Sequence, residues 1–199
     1  HPSSFHLVDM LENGDKDTGR YRRLIRRIKK KREKKKAVYL DASLESLKEL
    51  VPIAENLGVR LGLETRYYPE EIPSLEELGY LISESASSTV GYWHDFGHAQ
   101  FKENLGWEEH ESYLKLYGSN LIGAHIHDII RSRDHKAPSC GTYDFSWSVE
   151  ILKKDIPLVF EIHPSATADE IKARRRYLAD LTGKSPLSTS QCLLTPDDR

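Results

Sequence analysis

Gly91-Tyr-Trp-His-Asp-Phe-Gly-His-Ala-Gln100 is the stretch on which the reading of the fold turns. Val90 to Trp93 reads as a short strand, and at its end the chain presents a carboxylate, a glycine and an imidazole. Asp95 and His98 can then turn toward one point, as ligands of a divalent metal do. The competing reading of the same residues is that Asp95 caps the following segment and His98 merely packs. The motif alone does not separate the two.

Three further segments do. Val59-Arg-Leu-Gly-Leu-Glu64 is short and apolar and ends in Glu64, Leu121 to Asp128 carries His125, His127 and Asp128, and Pro157-Leu-Val-Phe-Glu161 ends in Glu161. Strand side chains alternate, so Glu64, Asp95, His125 and Glu161 fall on one side while Leu63, Ile126 and Phe160 face the other. Four strands, each ending in a metal-capable residue and separated by helical sequence, describe the catalytic mouth of a parallel β/α barrel. In that architecture function gathers at the C-terminal ends of the strands.

Length and composition bound the rest. One domain is the natural expectation for 199 residues. A complete eight-stranded barrel runs to about 250 residues, so the four strands are expected to be the C-terminal part of a longer (β/α)8 barrel, over residues 1–183. Residues 184–199, rich in Ser, Thr and Pro and acidic at the end, are expected to be a loose tail. No apolar run approaches the roughly 18 residues of a membrane span. Cys140 and Cys192 are too few for a disulfide framework, which fits a reducing, cytoplasmic setting. A net charge of −2 gives no electrostatic case for nucleic acid as a partner of the whole chain.

Along the chain, His1-Pro-Ser-Ser reads as the exit of a strand, and the segment to Gly19 as a loop with a helical turn. Residues 20–36 hold twelve Arg or Lys and one acid, Glu33, over an apolar stripe of Tyr21, Leu24, Ile25 and Ile28. A phosphate-backbone contact is one reading of this run. An outer helix with a solvated basic face is the expected one. Val38 to Leu40 reads as a connection, Ser43 as the cap of the next helix, Pro52 as a kink and Gly58 as its end. Helices follow from Ser74, over Trp107 to Tyr117, over Trp147 to Lys154 and over Thr167 to Leu181, with a charged loop from Arg131 to Gly141.

The runs Gly-Leu-Glu64, His-Asp95-Phe-Gly-His98-Ala, Ala-His125-Ile-His-Asp128 and Phe-Glu161 together resemble the xylose-isomerase-like barrel superfamily. That group holds sugar-phosphate isomerases and epimerases and also the endonuclease IV type of abasic-site nuclease. His1-Pro-Ser-Ser resembles the segment that ends the fourth strand there, which makes His1 a further candidate. The resemblance to ketose 3-epimerases implies one divalent ion held by Glu64, Asp95, His125 and Glu161. It implies that Glu64 and Glu161 also move the proton, and that His98 and Arg131 hold substrate oxygens. The nuclease branch needs three zinc ions and an Asp-x-His pair in the loop after strand seven. Here His135 matches, but Arg133 stands at the Asp position with Asp134 beside it, and the loop's Pro-Gly-Glu-Gly has become Pro138-Ser-Cys-Gly141.

Three carboxylates and an imidazole suit Mn²⁺ or Mg²⁺, with Zn²⁺ or Co²⁺ also compatible. Such an ion would stabilise the enediolate formed when a carbon acid beside a carbonyl loses its proton, with Glu64 and Glu161 serving opposite faces and Arg131 holding developing charge. His127 and Asp128 are either orienting groups behind the ligands or a buried structural pair. The expected function is therefore a metal-dependent isomerase or epimerase of a small sugar or sugar phosphate. An abasic-site nuclease and a non-catalytic barrel fragment are the alternatives. No membrane partner is expected. Self-association is, because an open sheet leaves two unpaired edges.

Overall fold

The computed structural model describes residues 2–183. In chain order the elements are α1 (Pro2–Glu12), α2 (Gly19–Glu33), α3 (Lys36–Leu57), β1 (Leu61–Glu64), α4 (Leu75–Glu84), β2 (Val90–Asp95), α5 (Phe96–Asn104), α6 (His110–Tyr117) and β3 (Leu121–Ile126). A hairpin of β4 (Asp128–Ile130) and β5 (Arg133–Lys136) follows, then a 3-10 turn (Phe145–Ser148), α7 (Val149–Leu152), β6 (Leu158–Phe160) and α8 (Ala168–Thr182). The main sheet is parallel, in the order β1-β2-β3-β6, with helical segments in every crossover. This is an α/β fold with the strand order of part of a TIM barrel.

Local chemistry explains the boundaries. Gly58 ends α3 at φ 65°, the left-handed conformation that costs glycine nothing. Ser74 and Glu77 form a reciprocal capping box at the start of α4, and Thr167 and Glu170 do the same for α8. Asp95 both ends β2 and caps α5, accepting from His98 N at 2.7 Å.

Several sequence expectations are corrected. The segment after His1 is not a strand exit and loop but helix α1, whose Leu7, Met10 and Leu11 lie one turn apart and are buried; eleven residues give too short a period to stand out. His1 itself lies outside the described residues, as does the 184–199 tail. Val38 to Leu40 belongs to α3, which starts at Lys36. Its first turns bury so little (Val38 is 73% and Tyr39 61% exposed) that no apolar stripe marks them. Ser43 therefore lies inside the helix, its hydroxyl donating to Tyr39 O at 2.9 Å rather than capping. The expected charged loop from Arg131 to Gly141 contains β5, which pairs antiparallel with β4 just before it.

One face of the sheet carries the core. Tyr92 and Leu121 pack with Leu78, Tyr113 and Leu114 of α4 and α6, and Val90 packs with Leu44, Leu47, Val51 and Leu81 of α3 and α4. Ala124, Ile126 and Phe160 meet Phe145, Leu152 and Leu178 near α7 and α8. Each such large apolar side chain contributes about 1.5–3 kcal/mol of burial. A separate cluster joins α1 and α2 to α5 through Leu7, Met10, Tyr21, Ile28, Phe101 and Trp107.

The pairing of β2 with β3 is irregular. Tyr92 pairs with Leu121 but Trp93 with Gly123, so Ile122 is an extra residue in β3. Strict alternation from the core residue Leu121 would turn His125 toward the core. The bulge resets the phase and brings His125 level with Asp95.

Candidate metal centre

Register places the four strand-end residues on one face. Asp95 pairs with His125, Glu64 pairs with Trp93, two residues before Asp95, and Val159, two before Glu161, pairs with His125. Offsets of zero or two keep side chains on the same face. One ligand atom from each of Glu64, Asp95, His125 and Glu161 lies within 4.8 Å of all the others.

His125 Nδ1 is at the middle of the group, 2.9 Å from Glu64 Oε1, 3.1 Å from Glu161 Oε2 and 3.4 Å from Asp95 Oδ2. A single ring N–H serves one acceptor well, and it is engaged with Glu64. Asp95 Oδ2 and Glu161 Oε2 are consequently buried without a hydrogen-bond partner. Two orphaned carboxylate oxygens facing a shared imidazole nitrogen are what a divalent cation's ligands look like, because the cation supplies the missing positive partner. The donor set thus fits a hard or borderline ion.

The two oxygens of Asp95 have different surroundings. Its Oδ1 accepts from the His98 backbone N–H at 2.7 Å and sits 2.9 Å from His127 Nε2, while Oδ2 is left for the site. His127 Nδ1 accepts from the His135 backbone N–H at 2.9 Å, so its proton must be on Nε2, pointing at Asp95. His127 is fully buried and both its nitrogens are engaged, which makes it the group that orients Asp95 rather than a ligand.

Beside this centre lies a second group, His98, His127 and His135, whose ligand atoms also lie within 4.8 Å of one another. His98 Nδ1 is 2.9 Å from Thr65 O, which fixes that nitrogen as the donor and leaves Nε2 facing Asp134 Oδ2 at 3.8 Å. His135, at φ 53°, is held in a conformation that a non-glycine residue rarely adopts. Its Nε2 lies 3.6 Å from Glu161 Oε1 and its Nδ1 3.1 Å from Asp134 Oδ1. Arg133 is exposed, and Asp134 occupies the acidic position beside the two histidines.

The remaining candidates fall elsewhere. Asp128 accepts from the backbone N–H groups of Ile129, Gly141 and Tyr143, so it clasps the loop and faces no open site. Arg131 is exposed and donates to Glu12 O at 2.8 Å, turned toward the end of α1 rather than the carboxylates. His94 faces the opposite side of β2, between Tyr92 Oη and His110 Nε2. Sequence reasoning missed Arg66, whose guanidinium lies 3.6 Å from Glu64 Oε2 and 3.0 Å from Glu71 Oε1. A cation two residues beyond a candidate ligand, in a loop reaching over the mouth, was the available signal.

The electrostatics follow the geometry. Burial alone would lower the His125 pKa, but the carboxylates around its Nδ1–H, those of Asp95, Glu64 and Glu161, outweigh it and raise it to about 10. His135 is raised to about 10 by its hydrogen bonds to Asp134 and Glu161. Burial would raise Asp95, yet the neighbouring His127 and His98 imidazoles hold it well below the usual carboxylate range. Protonated His125 and His135 here stand in the role that a cation would take.

A parallel β/α sheet with acids and histidines at the C-terminal strand ends defines a barrel enzyme class whose sites often take divalent metals. The chain belongs to the xylose isomerase-like TIM barrel family: a family model of that description matches residues 18–181. The family includes sugar isomerases and epimerases as well as abasic-site endonucleases, and is largely enzymatic. No curated protein matches the chain. Among the described residues, no helix is long and apolar enough to cross a membrane.

Proposed function

We propose that the protein is a divalent-metal-dependent isomerase or epimerase of a small sugar or sugar phosphate. The observation that carries this reading is the convergence of Glu64, Asp95, His125 and Glu161 on one point, with two carboxylate oxygens buried there without a hydrogen-bond partner. A bound ion would supply Lewis-acid polarisation of a carbonyl and its neighbouring hydroxyl. Glu64 and Glu161 approach that point from the two outer strands, β1 and β6, so a substrate carbon between them meets a carboxylate on either side. One takes the proton from the carbon beside the carbonyl and the other returns it. His98, its Nδ1 tied to Thr65 O, presents Nε2 as the group that positions a substrate hydroxyl. Arg66 offers a second positioning charge, next to Glu64.

A second reading, a metal-dependent abasic-site nuclease, is favoured by the adjoining His98, His135 and Asp134. The test separates the two. The protein is loaded with Mn²⁺ and incubated in deuterated water with a panel of ketoses and ketose phosphates, and an abasic oligonucleotide is assayed in parallel. Deuterium entering the carbon beside the carbonyl, with one metal per chain by elemental count, is the expected outcome. Strand cleavage with three metals per chain and no exchange would replace this reading by the second.

A further inference from the structure

Twelve cations and one acid give residues 20–36 a charge of +11 while the whole chain carries −2, so the remaining residues carry −13. α2 and the turn after it expose ten of those cations: Arg20, Arg22, Arg23, Arg26, Arg27, Lys29, Lys30, Lys31, Lys34 and Lys35. α2 has fifteen residues, about 22 Å at 1.5 Å per residue. The helix is not remote from the site. Its buried Arg32 donates to Glu77, Pro69 O and Glu71 O, which anchors its C-terminal end on the loop that leaves Glu64.

Arg27, Lys31, Lys35 and Lys36 line a cavity of about 260 Å³ together with Tyr39, and Glu70 is the one acid there. Burial pushes the Glu70 carboxyl up, toward the uncharged form. Tyr39, 61% exposed, also lines an adjoining pocket of about 500 Å³ with Arg66, Glu70 and Glu71, so the cationic lining ends at its ring. The basic ridge and the exposed aromatic ring therefore form one continuous path.

We infer that this path binds the phosphate backbone of a single-stranded nucleic acid, with Tyr39 as a stacking platform. Cations along a groove interrupted by an exposed aromatic ring are the chemistry by which single strands are held without regard to sequence. The contrast between +11 on residues 20–36 and −13 on the rest of the chain steers a polyanion toward α2. A membrane surface fits less well. The apolar stripe of α2, Tyr21 and Ile28 with Leu24 and Ile25, is already packed against α1 and α5, so the basic helix itself offers no apolar face to a bilayer. This surface is independent of the reaction at the carboxylates.

The experiment follows a fluorescent oligothymidylate of about 20 nucleotides by anisotropy as it is titrated with the full chain. Salt is varied from about 50 to 200 mM, the range over which phosphate contacts show their salt dependence. Binding is expected, with log K falling against log salt by about 0.7 for each phosphate contact. Combined Arg27→Gln, Lys30→Gln, Lys34→Gln and Lys35→Gln substitutions, all on exposed positions, should weaken it more than tenfold and flatten the slope. Tyr39→Ala should weaken it severalfold with the slope unchanged, since stacking releases no counterions. A melting curve confirms that each variant is folded. No binding at the lowest salt, or an unchanged affinity in the fourfold variant, overturns the inference. So does equal binding of phosphatidylserine vesicles combined with no effect of Tyr39→Ala, which would mark a membrane or general ion-exchange surface.

Discussion

Gly97 and His127 set the geometry of Asp95 between them. A Cβ added at Gly97 would meet His127 Cε1 at 2.0 Å, inside the wall of a fully buried ring. Within an exposed helix, Gly→Ala stabilises by about 1 kcal/mol; in α5 the clash reverses that sign. Gly97→Ala is therefore expected to lower the melting temperature, and a raised one would mean that His127 has room to move. His127→Ala removes the N–H that orients Asp95 Oδ1. Loss of such a supporting group typically costs 10–100-fold in metal affinity, so Mn²⁺ titration calorimetry should show a drop of about that size with the stoichiometry kept. A lost site would instead make His127 a ligand.

At the scale of elements, the join between α2 and α4 rests on Arg32 and Glu77. The guanidinium meets both Glu77 oxygens at 2.6 Å and both residues are buried. Removing one partner leaves the other charge buried and uncompensated, at a cost of about 3 kcal/mol. Glu77→Gln should lose roughly that in denaturant unfolding, with little dependence on salt because the pair is shielded from solvent. Burial pushes the Glu77 carboxyl up, but the Arg32 hydrogen bonds and the Ser74 N–H outweigh it and leave it below the ordinary value of 4.5. A depressed carboxylate stabilises the folded state fully above its unfolded pKa, and that contribution is lost as pH falls through the folded one. The gap between wild type and Glu77→Gln should thus be constant at neutral pH and close below about pH 4.5. A gap that widens on acidification would contradict the ion pair.

For the molecule as a whole, the sheet has β1 and β6 at its two edges among the described residues. Its inner face carries Trp93 and Ile122 along an open pocket of about 570 Å³, and the Trp93 indole N–H has no hydrogen-bond partner. Unpaired edges flanking a face with exposed apolar groups favour pairing with a second copy. The 199-residue chain is expected to elute as a dimer or larger in size-exclusion chromatography with light scattering. A cooperatively unfolding monomer would show that the inner face is covered from within.

The sequence by itself determined the alternation of helices and parallel strands, the four strand-end residues and the caps at Gly58, Ser74 and Thr167. Each of these is a local signal: a period, a turn residue or a short polar–apolar pattern. It also showed the basic run, but not where that run lies. Three matters were decided only in the tertiary structure. The bulge at Ile122 turns His125 into the site, because the phase of β3 is set by its partner strand. The N-terminal segment became α1 because Leu7, Met10 and Leu11 are buried against α2 and α5, a long-range contact that no short window contains. Arg131, Asp128 and Arg66 took their places from loop paths, which depend on backbone groups far away in sequence: Glu12 O holds Arg131, and the N–H groups of Gly141 and Tyr143 hold Asp128. Residue type announces what a side chain can do; which partners reach it is fixed by packing across the whole chain.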